Sequence, residues 1–135
     1  MDRQQIGLIQ SSFERAYRDK AKIATLFYKN LFAVMPEARD MFHQDMQVQR
    51  QMFASILVMI VKLLNQPEAM RGVAKKLAHA HARFQISREQ FDCAGEALID
   101  ALAEVGGDRF SPDTAAAWRQ AMHVLFDCMA EEMSG

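Results

Sequence analysis

His81 is the residue whose type and position are best suited to chemistry in this sequence. It lies in the segment 77–86, LAHAHARFQI. The side chains three and four positions away are Leu77, Ala78 and Phe84. Residues at that spacing share one face of a helix, so His81 is expected to face apolar surroundings. His79 lies roughly 200° away around the same helix, beside lysines, and is expected to face solvent. An inward imidazole is either a metal ligand or a core histidine bonded to a backbone carbonyl.

The sequence predicts helices both around His81 and along the rest of the chain. Apolar residues recur three and four positions apart almost throughout, and no segment predicts a strand. We expect about seven helices of unequal length in one all-α domain over residues 1–135. Unequal helices favour steep crossings around a pocket over a four-helix bundle. The boundaries rest on caps, prolines and glycines. Helix starts are predicted at the Asp2 cap, at Pro36 for a short third helix, at Pro67 for the helix with His81, at the capping box of Ser87 and Gln90, and at Ser111 and Pro112 for the last helix. Gly106 and Gly107 are expected to end the helix that begins at the capping box.

Composition excludes several classes of function. The net charge is −1 and the basic residues are scattered, so the sequence does not indicate nucleic-acid binding. The longest apolar stretch, residues 56–64, is interrupted by Lys62 and is too short to span a bilayer. The N-terminus does not look like a signal peptide, so we expect a cytoplasmic protein without a membrane segment. Ten methionines and nine phenylalanines suit either an irregular core or a planar bound ligand.

Five residues, in their order and spacing, carry a resemblance to a known family. They are Tyr28, Phe42, Gln49, His81 and Trp118. In this arrangement the sequence resembles a bacterial single-domain haem globin and is similar to the globin portion of flavohaemoglobins. The resemblance implies a globin fold, with helices in a 3-on-3 sandwich around one haem. The sequence has no CxxCH motif for covalent attachment, so the cofactor is expected to be haem b held non-covalently.

The resemblance also implies roles for individual residues. His81 corresponds to the proximal ligand of the haem iron, and Phe42 to the aromatic that packs on the porphyrin. Tyr28 and Gln49 correspond to the distal, gas-binding side, where Phe53 would press on the bound gas. The remaining pocket wall would be apolar. Its expected members are Leu57, Leu77, Phe84, Ile86, Phe91 and Met122.

The chemistry of Tyr28 and Gln49 agrees with a distal role. O₂ becomes more negative when it binds ferrous haem, and a buried donor stabilises that charge. The Tyr28 hydroxyl can donate, and the Gln49 amide can donate or accept. One such bond in a dry pocket is worth about 1–2 kcal/mol, and each 1.4 kcal/mol slows escape roughly tenfold. Taken singly, Tyr28 could be a core tyrosine and Gln49 a surface residue. Their combination with His81 favours the distal interpretation.

Phe91 departs from the flavohaemoglobin pattern. That type has a tyrosine ten residues after the proximal histidine, which acts with a glutamate of the last helix to orient and charge the imidazole. Here the position is Phe91, and Met133 falls in the register of the glutamate, near Glu131 and Glu132. The proximal push that favours oxygen activation is therefore expected to be weak.

These residues predict reversible binding of O₂ or NO, with CO as a further diatomic ligand, by a carrier, store or scavenger. One alternative is an NO dioxygenase or weak peroxidase. The sequence ends at Gly135 without a flavin or nicotinamide domain, so turnover would need an external reductase. A gas sensor and a haem-free helical adaptor are further alternatives. The expected assembly is a monomer or a homodimer.

The sequence has four other residues that could act as ligands or thiols, two cysteines and two histidines. Cys93 and Cys128 fit no metal-binding spacing and are expected to be buried free thiols. His43 is expected to be exposed or near the haem edge, and His123 to lie at the surface or between helices. Neither occupies the expected distal position, so haem bound by two histidines is not predicted.

Overall fold

The computed structural model describes residues 1–42 and 45–134. These residues form six α-helices, four 3₁₀ segments and no strand. The α-helices are α1 (Arg3–Ala16), α2 (Lys20–Val34), α3 (Met46–Lys62), α4 (Pro67–His81), α5 (Arg88–Gly106) and α6 (Pro112–Ser134). The 3₁₀ segments are Tyr17–Asp19, Pro36–Met41, Ala82–Phe84 and Gly107–Arg109. The all-helical prediction is confirmed.

Reciprocal capping fixes the start of two helices. At α1, the Asp2 carboxylate accepts from the Gln5 backbone N–H at 2.8 Å, and the Gln5 side chain accepts from the Asp2 N–H at 3.1 Å. Ser87 and Gln90 make the same exchange at the start of α5, at 3.1 Å and 2.9 Å. Each box satisfies donors that a helix start leaves without an internal partner. Both caps were predicted and are confirmed.

Prolines and one glycine set the other boundaries. Pro67 and Pro112 are the first residues of α4 and α6, where the missing N–H removes no helical bond. Pro36 starts a segment as predicted, but that segment is a 3₁₀ helix and not a full α-helix. Gly107 ends α5 with φ +59°, in the region that disfavours side chains.

Packing is dense where α5 and α6 meet the other helices. Helix α2 packs against α5, and both α4 and α1 pack against α6. The Asn30 side chain donates to the Ala97 carbonyl at 3.2 Å and ties α2 to α5. A Cβ at Gly95 would lie 3.2 Å from the Phe126 ring, so the glycine permits the close approach of α5 and α6.

Trp118 is fully buried and joins α6 to α1. Its indole N–H donates to the Ser12 hydroxyl at 2.9 Å, and that hydroxyl donates to the Ile9 carbonyl at 2.9 Å. The indole also meets the Phe13 ring at 6.3 Å between centroids. Since every polar atom in this chain of bonds has a partner, the indole is buried without an unpaired donor.

The exposure of the two cysteines differs from the prediction. Cys93 and Cys128 are free thiols, as predicted, but Cys93 is exposed and Cys128 only half-buried, so the prediction of buried thiols is wrong. Cys93 lies on the outward face of α5, which the apolar neighbours in sequence did not reveal.

His123 is exposed, whereas His43 lies outside the described residues. Within the described ranges no helix is both long and apolar enough to cross a membrane.

Ser12→Ala should destabilise the fold by about 1–3 kcal/mol, because it leaves the buried Trp118 N–H without an acceptor. The free energy of unfolding, from urea denaturation, is the measurement. Ser11→Ala is the matched control, since Ser11 is exposed on the same helix, and it should change stability by less than about 0.5 kcal/mol. Equal effects of the two substitutions would contradict the role given to the Ser12 hydroxyl.

Candidate functional site

His81 is the last residue of α4 and is half-buried. Its Nδ1 lies 2.7 Å from the Leu77 carbonyl oxygen. A carbonyl oxygen only accepts, so Nδ1 carries a proton and donates it, and Nε2 is the ring nitrogen that a metal could bind. None of the hydrogen bonds among the described residues uses Nε2, and no buried side-chain nitrogen or oxygen there lacks a partner. Nε2 therefore faces accessible space and is available as a metal ligand.

The two histidines of α4 differ as the pattern predicted. His79 is exposed, whereas His81 is half-buried and meets the ring of Phe91 edge-on, with 5.8 Å between centroids. Phe91 in turn lies 5.2 Å from the ring of Phe126 on α6. The neighbours of the His81 ring on this side are apolar. The carbonyl of Leu77 is the hydrogen-bond partner that the described residues give to the imidazole.

Tyr28 and Gln49 form a second polar group, on α2 and α3. The Gln49 amide donates to the Tyr28 phenolic oxygen at 3.0 Å. Tyr28 is 5% exposed. Burial raises the pKa of the Tyr28 hydroxyl, while the hydrogen bond from Gln49 acts to lower it. The phenol thus stays protonated at neutral pH, and its own O–H is left to donate to a further acceptor.

Four phenylalanine rings surround Tyr28. The distances from its ring centroid are 4.9 Å to Phe27, 5.4 Å to Phe42, 5.7 Å to Phe53 and 5.9 Å to Phe32. We call these four rings the aromatic cluster. Phe27 and Phe53 are stacked, 4.2 Å apart and 7° from parallel. The cluster removes water from the surroundings of the Tyr28 hydroxyl, which strengthens any hydrogen bond made there.

The structure brings the sequence-predicted residues into two groups. Tyr28, Gln49, Phe42 and Phe53 form one, and His81 with Phe91 forms the other. The remaining predicted wall residues are spread over the apolar interior. Leu57 and Met122 are buried in the core, and Leu77, Phe84 and Ile86 are half-buried near the end of α4.

Sequence reasoning missed Phe27 and Phe32 as parts of the site. Phe32 lies one turn after Tyr28 on α2, at the i+4 spacing that brings side chains together, so this signal was present. Phe27 has no such signal, because its contact with Tyr28 depends on Phe53 packing against both rings from α3.

Comparison with known proteins identifies the family. Residues 25–129 match the family described as Globin. This chain belongs to the globin family. The globin is 34% identical over 107 residues to a flavohemoprotein of Rhizobium meliloti, an alignment that covers 77% of this chain and 27% of that protein. The chain spans about a quarter of the length of the curated relatives that it matches first.

Solved structures show the same fold for this globin. An engineered carbene transferase from Rhodothermus marinus superimposes with a TM-score of 0.88 at 23% identity, covering 99% of this chain and 94% of that chain. The hemoglobin of the botfly Gasterophilus intestinalis gives a TM-score of 0.88 at 14% identity, covering the whole of both chains. The predicted globin fold is thus confirmed, with six α-helices in the described ranges against about seven expected.

Membership in the globin family implies a haem cofactor, and the donor set of this globin fits one. A histidine whose Nδ1 donates to a backbone carbonyl can offer its Nε2 to haem iron. The aromatic cluster offers apolar rings of the kind that pack on a porphyrin, and the Tyr28–Gln49 pair supplies polarity at one point within it.

The Tyr28 hydroxyl should titrate above its ordinary pKa of about 10. Gln49→Leu should raise the pKa further, because it removes the donor that stabilises the phenolate. ¹³C NMR of the labelled tyrosine in a Tyr17→Phe background isolates the signal, since the chain has two tyrosines. The folded protein holds this proton more tightly than the unfolded chain. Its contribution to stability is therefore present below about pH 10 and is lost as the pH rises through the folded pKa. Titration of Tyr28 below its ordinary pKa would contradict the assignment.

Proposed function

We propose that this globin reversibly binds O₂ or NO at haem b, as a carrier, store or scavenger. Bound haem b would supply a ferrous iron with an open position for a diatomic gas. The observation that carries the proposal is the 3.0 Å hydrogen bond between Gln49 and Tyr28, inside the aromatic cluster. A buried phenol with a free O–H is a suitable donor to a gas molecule that carries partial negative charge.

His81 is the residue we propose as the proximal ligand. The Leu77 carbonyl fixes the tautomer and orients the ring, so that Nε2 points away from the helix backbone. Phe42 and the half-buried apolar side chains at the end of α4 would exclude water from the porphyrin. An apolar shell of this kind slows oxidation of the iron, which a reversible gas binder requires.

Tyr28 and Gln49 would have different hydrogen-bonding roles on the gas-binding side of the haem. Gln49 donates to the phenolic oxygen, which would hold the Tyr28 ring in place and leave its O–H to donate to another acceptor. Tyr28 would then donate to the ligand, and Gln49 would assist. The ring of Phe53 packs on Tyr28 and would limit the space beside the bound gas.

An NO dioxygenase with an external reductase is the second candidate, since the Rhodothermus marinus protein that superimposes on this chain is described as a putative nitric oxide dioxygenase. Phe91 supports the binder instead. Its ring offers no acceptor to the His81 imidazole, and the Leu77 carbonyl is uncharged. An imidazole bonded to an uncharged carbonyl donates less electron density to iron than one bonded to a carboxylate. Oxygen activation by the iron would therefore be weaker. We expect a single domain of residues 1–135 acting in the cytoplasm.

His81→Ala should abolish haem binding or make it dependent on added imidazole, because the substitution removes the proposed ligand. His79→Ala is the matched control on the same helix, and it should leave the absorption spectrum unchanged. Haem uptake followed by absorption spectroscopy is the measurement. Loss of haem in His79→Ala with retention in His81→Ala would reverse the assignment.

Tyr28→Phe should speed O₂ dissociation at least about tenfold, the worth of one good buried hydrogen bond. CO dissociation should change much less, since CO acquires less charge. Stopped-flow displacement measures both rates, and Tyr17→Phe is the control because Tyr17 is exposed. Acceleration in Gln49→Leu but not in Tyr28→Phe would give the main role to Gln49. No acceleration in either variant would contradict the distal assignment.

A further inference from the structure

Arg88, the first residue of α5, joins two helices. Its Nε lies 3.1 Å from the Asp92 carboxylate one turn along α5. Its terminal nitrogen lies 2.5 Å from the carboxylate of Asp127 on α6. We call Arg88, Asp92 and Asp127 the arginine clamp. The planar guanidinium presents several donors in fixed directions, so one side chain can hold both acids.

The arginine clamp contacts the rings that lead to His81. The Arg88 guanidinium lies over the ring of Phe126, 5.9 Å from its centroid. Phe126 is 5.2 Å from Phe91, and Phe91 is 5.8 Å from His81. We call Phe91 and Phe126 the aromatic pair. An unbroken series of contacts therefore runs from a charged group at the surface to the imidazole.

The imidazole needs this support because one hydrogen bond does not fix a ring. The Leu77 carbonyl anchors Nδ1, but the ring can still tilt about that contact. Phe91 meets the imidazole edge-on and limits the tilt. Phe91 has no polar group of its own, so packing holds it in place, and the ring of Phe126 is one of its contacts. Phe126 lies between the backbone of α5, close to Gly95, and the guanidinium of Arg88.

We propose that Arg88 is a positioning residue which, through the aromatic pair, fixes the orientation in which His81 presents Nε2. The inference rests on the proposed function, in which His81 is the haem ligand. If Arg88 positions His81, the orientation of the His81 ring should also depend on ionic strength. The clamp is partly exposed, with 38% of the Arg88 side chain and 66% of the Asp127 side chain accessible, so salt screens it.

The chain contains a matched control for this proposal. Arg119 on α6 pairs with Glu96 on α5, at 2.7 Å and 3.0 Å. This ion pair joins the same two helices and has similar exposure. In the described part of the chain, no cation–π contact involves Arg119. Removing either arginine takes away one bridge between α5 and α6, but only Arg88 lies over the aromatic pair.

The test compares Arg88→Met, which keeps the aliphatic stem, with Arg119→Met. Two signals are measured on the full chain: the ¹⁵N resonance of His81 Nδ1, as purified and as the ferrous CO form, and the iron–histidine stretching band of the ferrous form. Arg88→Met should shift both signals and change the O₂ dissociation rate by about two- to tenfold. That is below the about 10–100-fold typical of a group bonded directly to a metal ligand. Arg119→Met should leave both signals in place.

A salt titration of the wild-type protein and of Arg88→Met provides a second test. Raising the ionic strength from about 0.01 M to about 1 M shortens the screening length from about 30 Å to about 3 Å. The signals of the wild-type protein should move towards those of Arg88→Met, and the variant should not respond. If Arg88→Met does not fold, Asp127→Asn and the salt titration give the same comparison.

Equal effects of the two arginine substitutions, or no effect of either, would overturn the proposal and leave Arg88 as a simple bridge between helices. If no form of the protein takes up haem, the proposed function fails. The Nδ1 resonance of the chain as purified then still decides whether Arg88 positions the ring. The two failures are therefore distinguishable.

Discussion

A hydrogen bond between the imidazole of His81 and the carbonyl of Leu77 is the constraint on which the rest of the account depends. It makes Nδ1 a donor to the backbone and leaves Nε2 as the nitrogen that can bind a metal. It forms because His81 ends α4, one turn after Leu77, and a carbonyl oxygen can accept two hydrogen bonds. The apolar ring of Phe91 on the neighbouring side offers the imidazole no charged partner. The imidazole is therefore oriented, with Nε2 directed away from the Leu77 carbonyl, before any cofactor binds.

A second constraint acts on α2 and α3, where polar atoms are buried among aromatic rings. Burying a phenol without a partner is costly, and the Gln49 amide offsets that cost with one hydrogen bond. The 3₁₀ segment that starts at Pro36 returns the chain so that Phe42 packs against Tyr28. The Tyr28 hydroxyl is thus buried beside aromatic rings, with the half-buried Gln49 amide as its polar neighbour. This arrangement suits a small ligand with partial negative charge better than a large or cationic one.

Local signals in the sequence predicted much of the fold, and contacts between distant segments limited the rest. Caps and prolines identified the starts of α1, α4, α5 and α6, because those signals act within one turn. Helical spacing also separated His81 from His79. Tyr28 and Gln49 are 21 residues apart on different helices, so only the resemblance to globins could pair them. The exposure of Cys93 was wrongly predicted, since apolar neighbours in sequence do not specify which face of α5 packs inward.

Haem binding through His81 is tested most directly by the absorption spectrum of the reduced full chain, loaded with one equivalent of haem, before and after addition of CO. Uptake should be stoichiometric and through one protein ligand, so the spectrum should be that of a five-coordinate ferrous haem. It should convert completely to a six-coordinate form on addition of the gas. Failure to take up haem would contradict the account. A six-coordinate spectrum before any gas is added would also contradict it, because a second side chain would then occupy the position proposed for the ligand.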